Sequence, residues 1–121
     1  MPYKLSIEIP GLPETVNALG RKHWAVKVKH NNIWERAVFA KSIAQGLPIE
    51  PLTKAIVVLT RYSSSEPDFD GLVSSFKCIL DSLIKCGVLE NDKMSVIGQP
   101  AYVWEKCKKG EGRIKIEVIE D

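Results

Sequence analysis

Along the first ten residues Tyr3, Leu5, Ile7 and Ile9 alternate with Lys4, Ser6 and Glu8. Period-two alternation of this kind predicts a half-buried strand, and Pro10 closes it. An irregular segment containing Gly, Pro and Asn follows. The spacing then predicts a helix from about Asn32, a suitable N-cap, to Gly46, with Pro48 and Pro51 preventing its continuation. Residues 55–62 hold the dense run Ile56-Val57-Val58-Leu59, which reads as a central strand covered on both faces. From Asp70, taken as an N-cap, Leu72, Phe76, Ile79, Leu80 and Leu83 recur at i, i+4, i+7, i+8 and i+11. That is the apolar face of a second helix, and Gly87 offers its left-handed stop. Two strands, 96–106 and 113–119, are expected to pair as a hairpin across Lys108-Lys109-Gly110-Glu111-Gly112. In the last of them Ile114, Ile116 and Val118 alternate with Arg113, Lys115 and Glu117. The expected order is βαβαββ, an α+β fold with two helices on a mixed β-sheet and one domain over 1–121.

Length agrees with one core, since 121 residues are too few for two comfortable domains, and a dimer would help so small a unit position two sites. No segment approaches the length of a transmembrane helix, and Met1-Pro2-Tyr3-Lys4 begins a strand pattern rather than a signal peptide. A cytoplasmic location, with no membrane partner, is the expectation. Cys78, Cys86 and Cys107 are odd in number and lack the paired short spacing of a zinc site, so they read as inert thiols. A net charge of +2 is too small to argue nucleic-acid binding, but its distribution is informative. Residues 67–105 hold three Lys/Arg against six Asp/Glu. Earlier, Arg21, Lys22, Lys27, Lys29, Arg36 and Lys41 face one nearby acid, Glu35, with His23, Trp24 and His30 interleaved. Such a mixture suits phosphate contact and base stacking, and Arg21, Lys22, Lys27 and Lys29 are the candidate DNA-binding residues. A solvated loop and helix face is the competing reading. Trp34, with Ile33, Ala37 and Val38, is expected in the core.

The chemistry-bearing stretch is Asp68-Phe69-Asp70 at the start of the second helix, with Glu90, Asn91 and Asp92 just beyond Gly87. If the residues before the helix are extended, Asp68 and Asp70 point the same way. Two carboxylates about 4 Å apart repel by about 1 kcal/mol in water and about 4 kcal/mol at an effective dielectric near 20. A hard divalent ion, Mg²⁺ or Mn²⁺, is the natural counter-charge and would serve phosphodiester hydrolysis. On the plainer alternative Asp70 is an ordinary cap, Asp68 a solvated loop acid and Asp92 a turn residue. Ser74, Lys77 and Asp81 fall within roughly 40° of one helical stripe. Helical side chains lean toward the N-terminus, so the Lys77 ammonium is expected to reach back toward Asp68 and Asp70, with Asp81 one turn below to hold it.

Taken together, D-x-D-G-L-x-x-x-x-K-x-x-x-D-x-L-x-x-x-G-x-x-x-x-D resembles the RusA family of Holliday junction resolvases, particularly its phage-type members. Ile9-Pro10-Gly11-Leu12-Pro13 followed by Asn17 is similar to that family's opening strand, proline-containing turn and asparagine, so the resemblance spans most of the chain. It implies a RusA-like fold and a homodimeric, Mg²⁺-dependent endodeoxyribonuclease that resolves four-way junctions by paired symmetric nicks. By position Asp68, Asp70 and Asp92 match the metal-binding catalytic aspartates, and Lys77 would offset charge on the phosphoryl oxygens. Gly71 stands where the family usually has asparagine, and Asn91 where it often has the first aspartate of a closing pair. Some members carry their lysine at the position of Ser74, and some are basic where this chain has Ser63-Ser64-Ser65-Glu66-Pro67. A flap or fork nuclease and a non-catalytic branched-DNA-binding module are the rival expectations. A helix of about 16 residues spans roughly 24 Å, so Asp92 rejoins the first acids only if the loop after Gly87 folds back or a second subunit supplies it.

Overall fold

Alternation along the N-terminal segment produces strand β1 (Lys4–Pro10), with Leu5, Ile7 and Ile9 buried. The computed structural model that shows this describes residues 2–121. The side chains of Val16 and Asn17 lie outside the described part, and with them the expectation placed on Asn17. The remaining elements are α1 (Val16–Gly20), α2 (Trp24–Gln45), β2 (Ala55–Ser63), α3 (Phe69–Ser75), α4 (Lys77–Lys85), α5 (Met94–Ile97), β3 (Ala101–Lys106) and β4 (Arg113–Glu120). The fold is α+β, with helices against one four-stranded sheet of order β1-β4-β2-β3. Its β1–β4 and β4–β2 pairs are antiparallel and its β2–β3 pair is parallel, so the sheet is mixed.

The expected terminal hairpin does not form. β3 and β4 lie on opposite sides of β2, and residues 107–112 carry the chain across. The exchange agrees with burial: the interior strand β4 has Ile114, Ile116 and Val118 each 0% exposed, whereas β3 has no buried residue and takes the edge. Val96, expected in that strand, is buried in α5 instead, because Gly98 and Pro100 interrupt the chain before Ala101. β2 is central, yet its two faces are covered unequally, since on the face opposite the core Thr60 is buried and Val58 half-buried. Ala55, Val57 and Leu59 enter the core while Ile56 stays 49% exposed.

α2 begins at Trp24 rather than near Asn32, and His23 caps it, its Nδ1 accepting from the Ala25 N–H at 3.2 Å. The earlier start escaped the apolar pattern because polar residues share the inward side. His30 Nε2 accepts from the Glu14 N–H at 3.0 Å. The Gln45 carboxamide accepts from the Ser6 N–H at 3.1 Å and donates to the Ser6 carbonyl. Trp34 and Val38 are buried between them, Trp34 as expected.

The second predicted helix is two helices. Phe76, at φ −93° and ψ 2°, breaks it, and its ring is fully buried beside Tyr102, with ring centroids 6.2 Å apart. Gly87 does supply the left-handed residue, at φ 88°. Its N–H donates to the Ile84 carbonyl and the Val88 N–H to that of Leu83, a Schellman closure. Leu89 then bridges Leu52 in parallel, which turns the following residues back along α4.

Candidate functional site

The acids occupy two neighbouring places. Asp68 is extended, at φ −69° and ψ 166°, and is itself the N-cap of α3, its Oδ1 accepting from the Gly71 N–H at 2.9 Å. Asp70 is therefore not the cap but a first-turn residue, where the helix dipole favours a negative charge. Since helical geometry begins at Phe69, Asp68 and Asp70 do not share one face of an extended segment. Both are exposed, and the Phe69 ring between them is 66% exposed. Gly71 is what allows this cap: a Cβ there would lie 2.5 Å from Asp68 Oδ1 and 3.5 Å from the Thr15 methyl.

Lys77 opens α4, and its ammonium does not reach back to the first two acids. It lies 3.3 Å from Asp81 Oδ1 and 3.4 Å from Asp92 Oδ2. The reason is the interruption at Phe76: Lys77 starts a new helix whose first turn faces the returning 89–92 segment, and two carboxylates outcompete a more distant pair. Those contacts raise the Lys77 pKa, the Asp81 hydrogen bond most of all.

Asp92 consequently reaches the first turn of α4 within one chain. The expected difficulty of spanning a long helix disappears because α4 has only nine residues and the Leu89 bridge reverses the loop. Asn91 secures that loop by accepting from the Lys93 N–H at 2.9 Å. Asp92 also borders an open groove of about 470 Å³, lined by Leu80, Met94, Gln99, Pro100 and Tyr102 among others. The Tyr102 phenol is pushed above its ordinary pKa by burial first, and by Asp92 among its nearby charges. Tyr102 was not singled out from the sequence. Its strand position was legible, but its side of the sheet depended on where β3 pairs.

The chemistry of the donors fits a hard cation, since all three aspartates offer carboxylate oxygens to solvent and Asp68 keeps one oxygen outside its cap bond. Their spacing is wider than a closed site needs. Among the described residues, no three His, Cys, Asp or Glu side chains stand together closely enough to hold a metal ion.

The basic residues divide. Arg21 and Lys22 lie on the turn between α1 and α2, where Lys22 pairs with Glu14 at 3.0 Å. Lys27 and Lys29, two residues apart on α2, point about 160° apart, and Lys27 is the more buried. Lys29 instead shares the outward face with Arg36. Trp24 is 68% exposed, its ring 5.6 Å from that of His23. His30 is committed to the fold: Nε2 accepts from Glu14, so Nδ1 carries the proton and donates to Asn31 Oδ1 at 3.0 Å.

No helix is long and apolar enough to cross a membrane among the described residues. Neither a protein-family model nor a curated protein matches the chain.

Proposed function

We propose that this chain is a Mg²⁺-dependent, RusA-like endodeoxyribonuclease that cuts branched DNA, working as a homodimer that places one nick in each of two opposing strands of a four-way junction. The observation that carries the reading is the return of Asp92 to Lys77 at the first turn of α4, in the same chain as Asp68 and Asp70 one short helix away. Asp68, Asp70 and Asp92 would hold Mg²⁺ or Mn²⁺, which when bound supplies Lewis acidity toward the phosphate and a more acidic water. Lys77 meanwhile balances Asp81 and Asp92, and its solvent-exposed ammonium can turn to the phosphoryl oxygens as negative charge develops there. Arg21, Lys22, Lys27 and Lys29 would contact the backbone, giving recognition of shape over base sequence.

A second reading has its own support. Asp92 already has Lys77 as counter-charge and the three acids are not gathered, as suits a branched-DNA-binding module without cleavage. The test is a labelled mobile four-way junction beside a matched linear duplex, with and without Mg²⁺. Paired nicks in the junction that require Mg²⁺, and their loss in Asp68→Asn, Asp70→Asn and Asp92→Asn with binding retained, are expected. Binding without cleavage in Mg²⁺ or Mn²⁺ would select the second reading. Equal degradation of the linear duplex, or unpaired cuts at flaps or forks, would remove the resolvase assignment.

A further inference from the structure

Along β2 the alternation that sends Ala55, Val57 and Leu59 into the core brings Arg61 to the same side of the sheet. Its partners in register are Ile114 of β4 and Trp104 of β3. The Arg61 side chain is half-buried, and one hydrogen bond holds it, Nη1 donating to the Pro13 carbonyl at 2.8 Å. Among the described residues it makes no ion pair. Burial lowers its pKa, and no nearby acid offsets that shift. On the adjacent strand Arg113 is treated in the opposite way: it pairs with Glu8 at 3.5 Å, donates to the Glu111 carbonyl at 3.3 Å and lies 4.1 Å from the centre of the Tyr62 ring. A tether to Pro13 needs only a neutral donor. A half-buried positive charge is costly without an anion to complete it, and most of the Arg61 fork is left to receive one.

We infer that Arg61 binds a phosphodiester group of a nucleic-acid strand, next to the phosphate that Asp68 and Asp70 address. The segment Pro13-Glu14-Thr15 joins the two places. At its first residue it accepts from Arg61. At its last, the Thr15 methyl faces the Asp68 cap, since a Cβ on Gly71 would stand 3.5 Å from that methyl and 2.5 Å from Asp68 Oδ1. Between them Glu14 is already neutralised by Lys22 at 3.0 Å, so it does not repel an incoming phosphate. The half-buried Trp104, fixed by its Nε1–H donating to Ser63 Oγ at 2.9 Å, supplies an aromatic wall beside the guanidinium, as suits a strand that carries bases more than a free anion. A guanidinium fork matches two phosphate oxygens at once. Arg61 is hidden in the sequence because it is a single basic residue at the end of an apolar strand, away from the run of cations between Arg21 and Lys41. The inference rests on the branched-DNA reading, in either its cleaving or its binding-only form, and adds a residue that grips the strand.

The test has two arms. In the first, junction affinity is measured over a salt series without Mg²⁺, so that no cutting intervenes. Arg61→Gln, which keeps an N–H for the Pro13 carbonyl and removes the charge, should weaken binding about tenfold at low salt and flatten the slope of log affinity against log salt by about 1, as expected for one lost phosphate contact. Arg61→Lys should keep the slope, and Arg113→Gln, whose charge is already paired, should leave it unchanged. In the second arm the Arg61 Nε–H resonance, identified by its loss in Arg61→Lys, is followed while a short thymidylate oligonucleotide or inorganic phosphate is added to the parent. The oligonucleotide should shift it saturably and at lower concentration than inorganic phosphate. An unchanged slope in Arg61→Gln, an equal flattening in Arg113→Gln, or a resonance that ignores the oligonucleotide or answers inorganic phosphate just as readily would each overturn the inference. If the parent does not bind the junction, the branched-DNA reading falls and the resonance alone decides whether Arg61 takes a phosphodiester. The resonance likewise decides if Arg61→Gln does not fold.

Discussion

α4 and α2 pack against each other and against the same sheet, yet they are built on opposite plans. In α4 the buried Ile79, Leu80 and Leu83 make one stripe, beside which the buried Ser82 bonds only within its own helix, donating to the Cys78 carbonyl, and Lys77, Asp81 and Lys85 look outward. α2 carries apolar residues on every side: Trp34 and Val38 are buried, while Val28, Ile33, Phe39 and Ile43 are 48%, 54%, 46% and 50% exposed. Its inward side also holds His30, Ser42 and Gln45. The contrast teaches that a helix can be positioned by a segregated apolar stripe or by a few polar groups with dedicated backbone partners, and only the first plan is visible as a period.

The contrast breaks most sharply at the start of α4. Phe76→Ala should cost about 3–5 kcal/mol in urea unfolding, because the ring is fully buried against Tyr102 and its loss leaves a cavity where α3 and α4 join. A cost below about 1 kcal/mol would mean that the interruption is not held by this ring. Next comes the cap of α3. Asp68→Ala should cost about 1 kcal/mol and Asp68→Asn almost nothing, since asparagine caps as well. Cleavage, in contrast, should be lost in both, so the pair separates the structural role of Asp68 from its proposed chemical one. An equal stability loss in the two variants would refute the cap.

Between the two helices, Ser42 is fully buried and, among the described residues, its Oγ meets no partner beyond the weakly bonding Cys86 thiol. Ser42→Ala should therefore leave stability unchanged or raise it by up to about 1 kcal/mol. A loss of the same size would show that the hydroxyl is satisfied in solution. Lys77→Met should cost less than about 1 kcal/mol, as expected for exposed ion pairs. The folded-state pKa of Lys77 lies above its ordinary 10.5. Its stabilising contribution is thus complete below that ordinary value and fades as pH rises through the raised one. Parent and variant should therefore converge in thermal stability in strong alkali, and a gap that widened there would contradict the pairing. Smallest of all, Ile43→Ser on the outward face of α2 should change the stability of the monomer by no more than about 0.5 kcal/mol. A larger loss would show that this face is covered in solution.

The candidate site was partly legible. The three aspartates stand out as residue types at fixed distances, and the turn at Gly87 could be assigned from its neighbours. Which carboxylate caps was not legible because it depends on where α3 begins, and where the Lys77 ammonium goes and whether Asp92 returns within one chain were not legible because both depend on the break at Phe76. No local propensity forces that break. It arises because the ring is drawn into a core that also receives Tyr102 from a strand 26 residues later.

By itself the sequence determined the faces. The alternation of β1 and β4 and the stripe of α4 each name their buried side locally, since a period of two or of 3.6 is a property of a few consecutive residues. The tertiary structure alone decided the neighbours: β4 between β1 and β2, β3 at the edge, the Leu89 bridge to Leu52, and the polar underside of α2. Those choices follow from which side chains, far apart in the chain, can be buried together and which backbone groups are thereby left to pair, and no window of consecutive residues contains both partners.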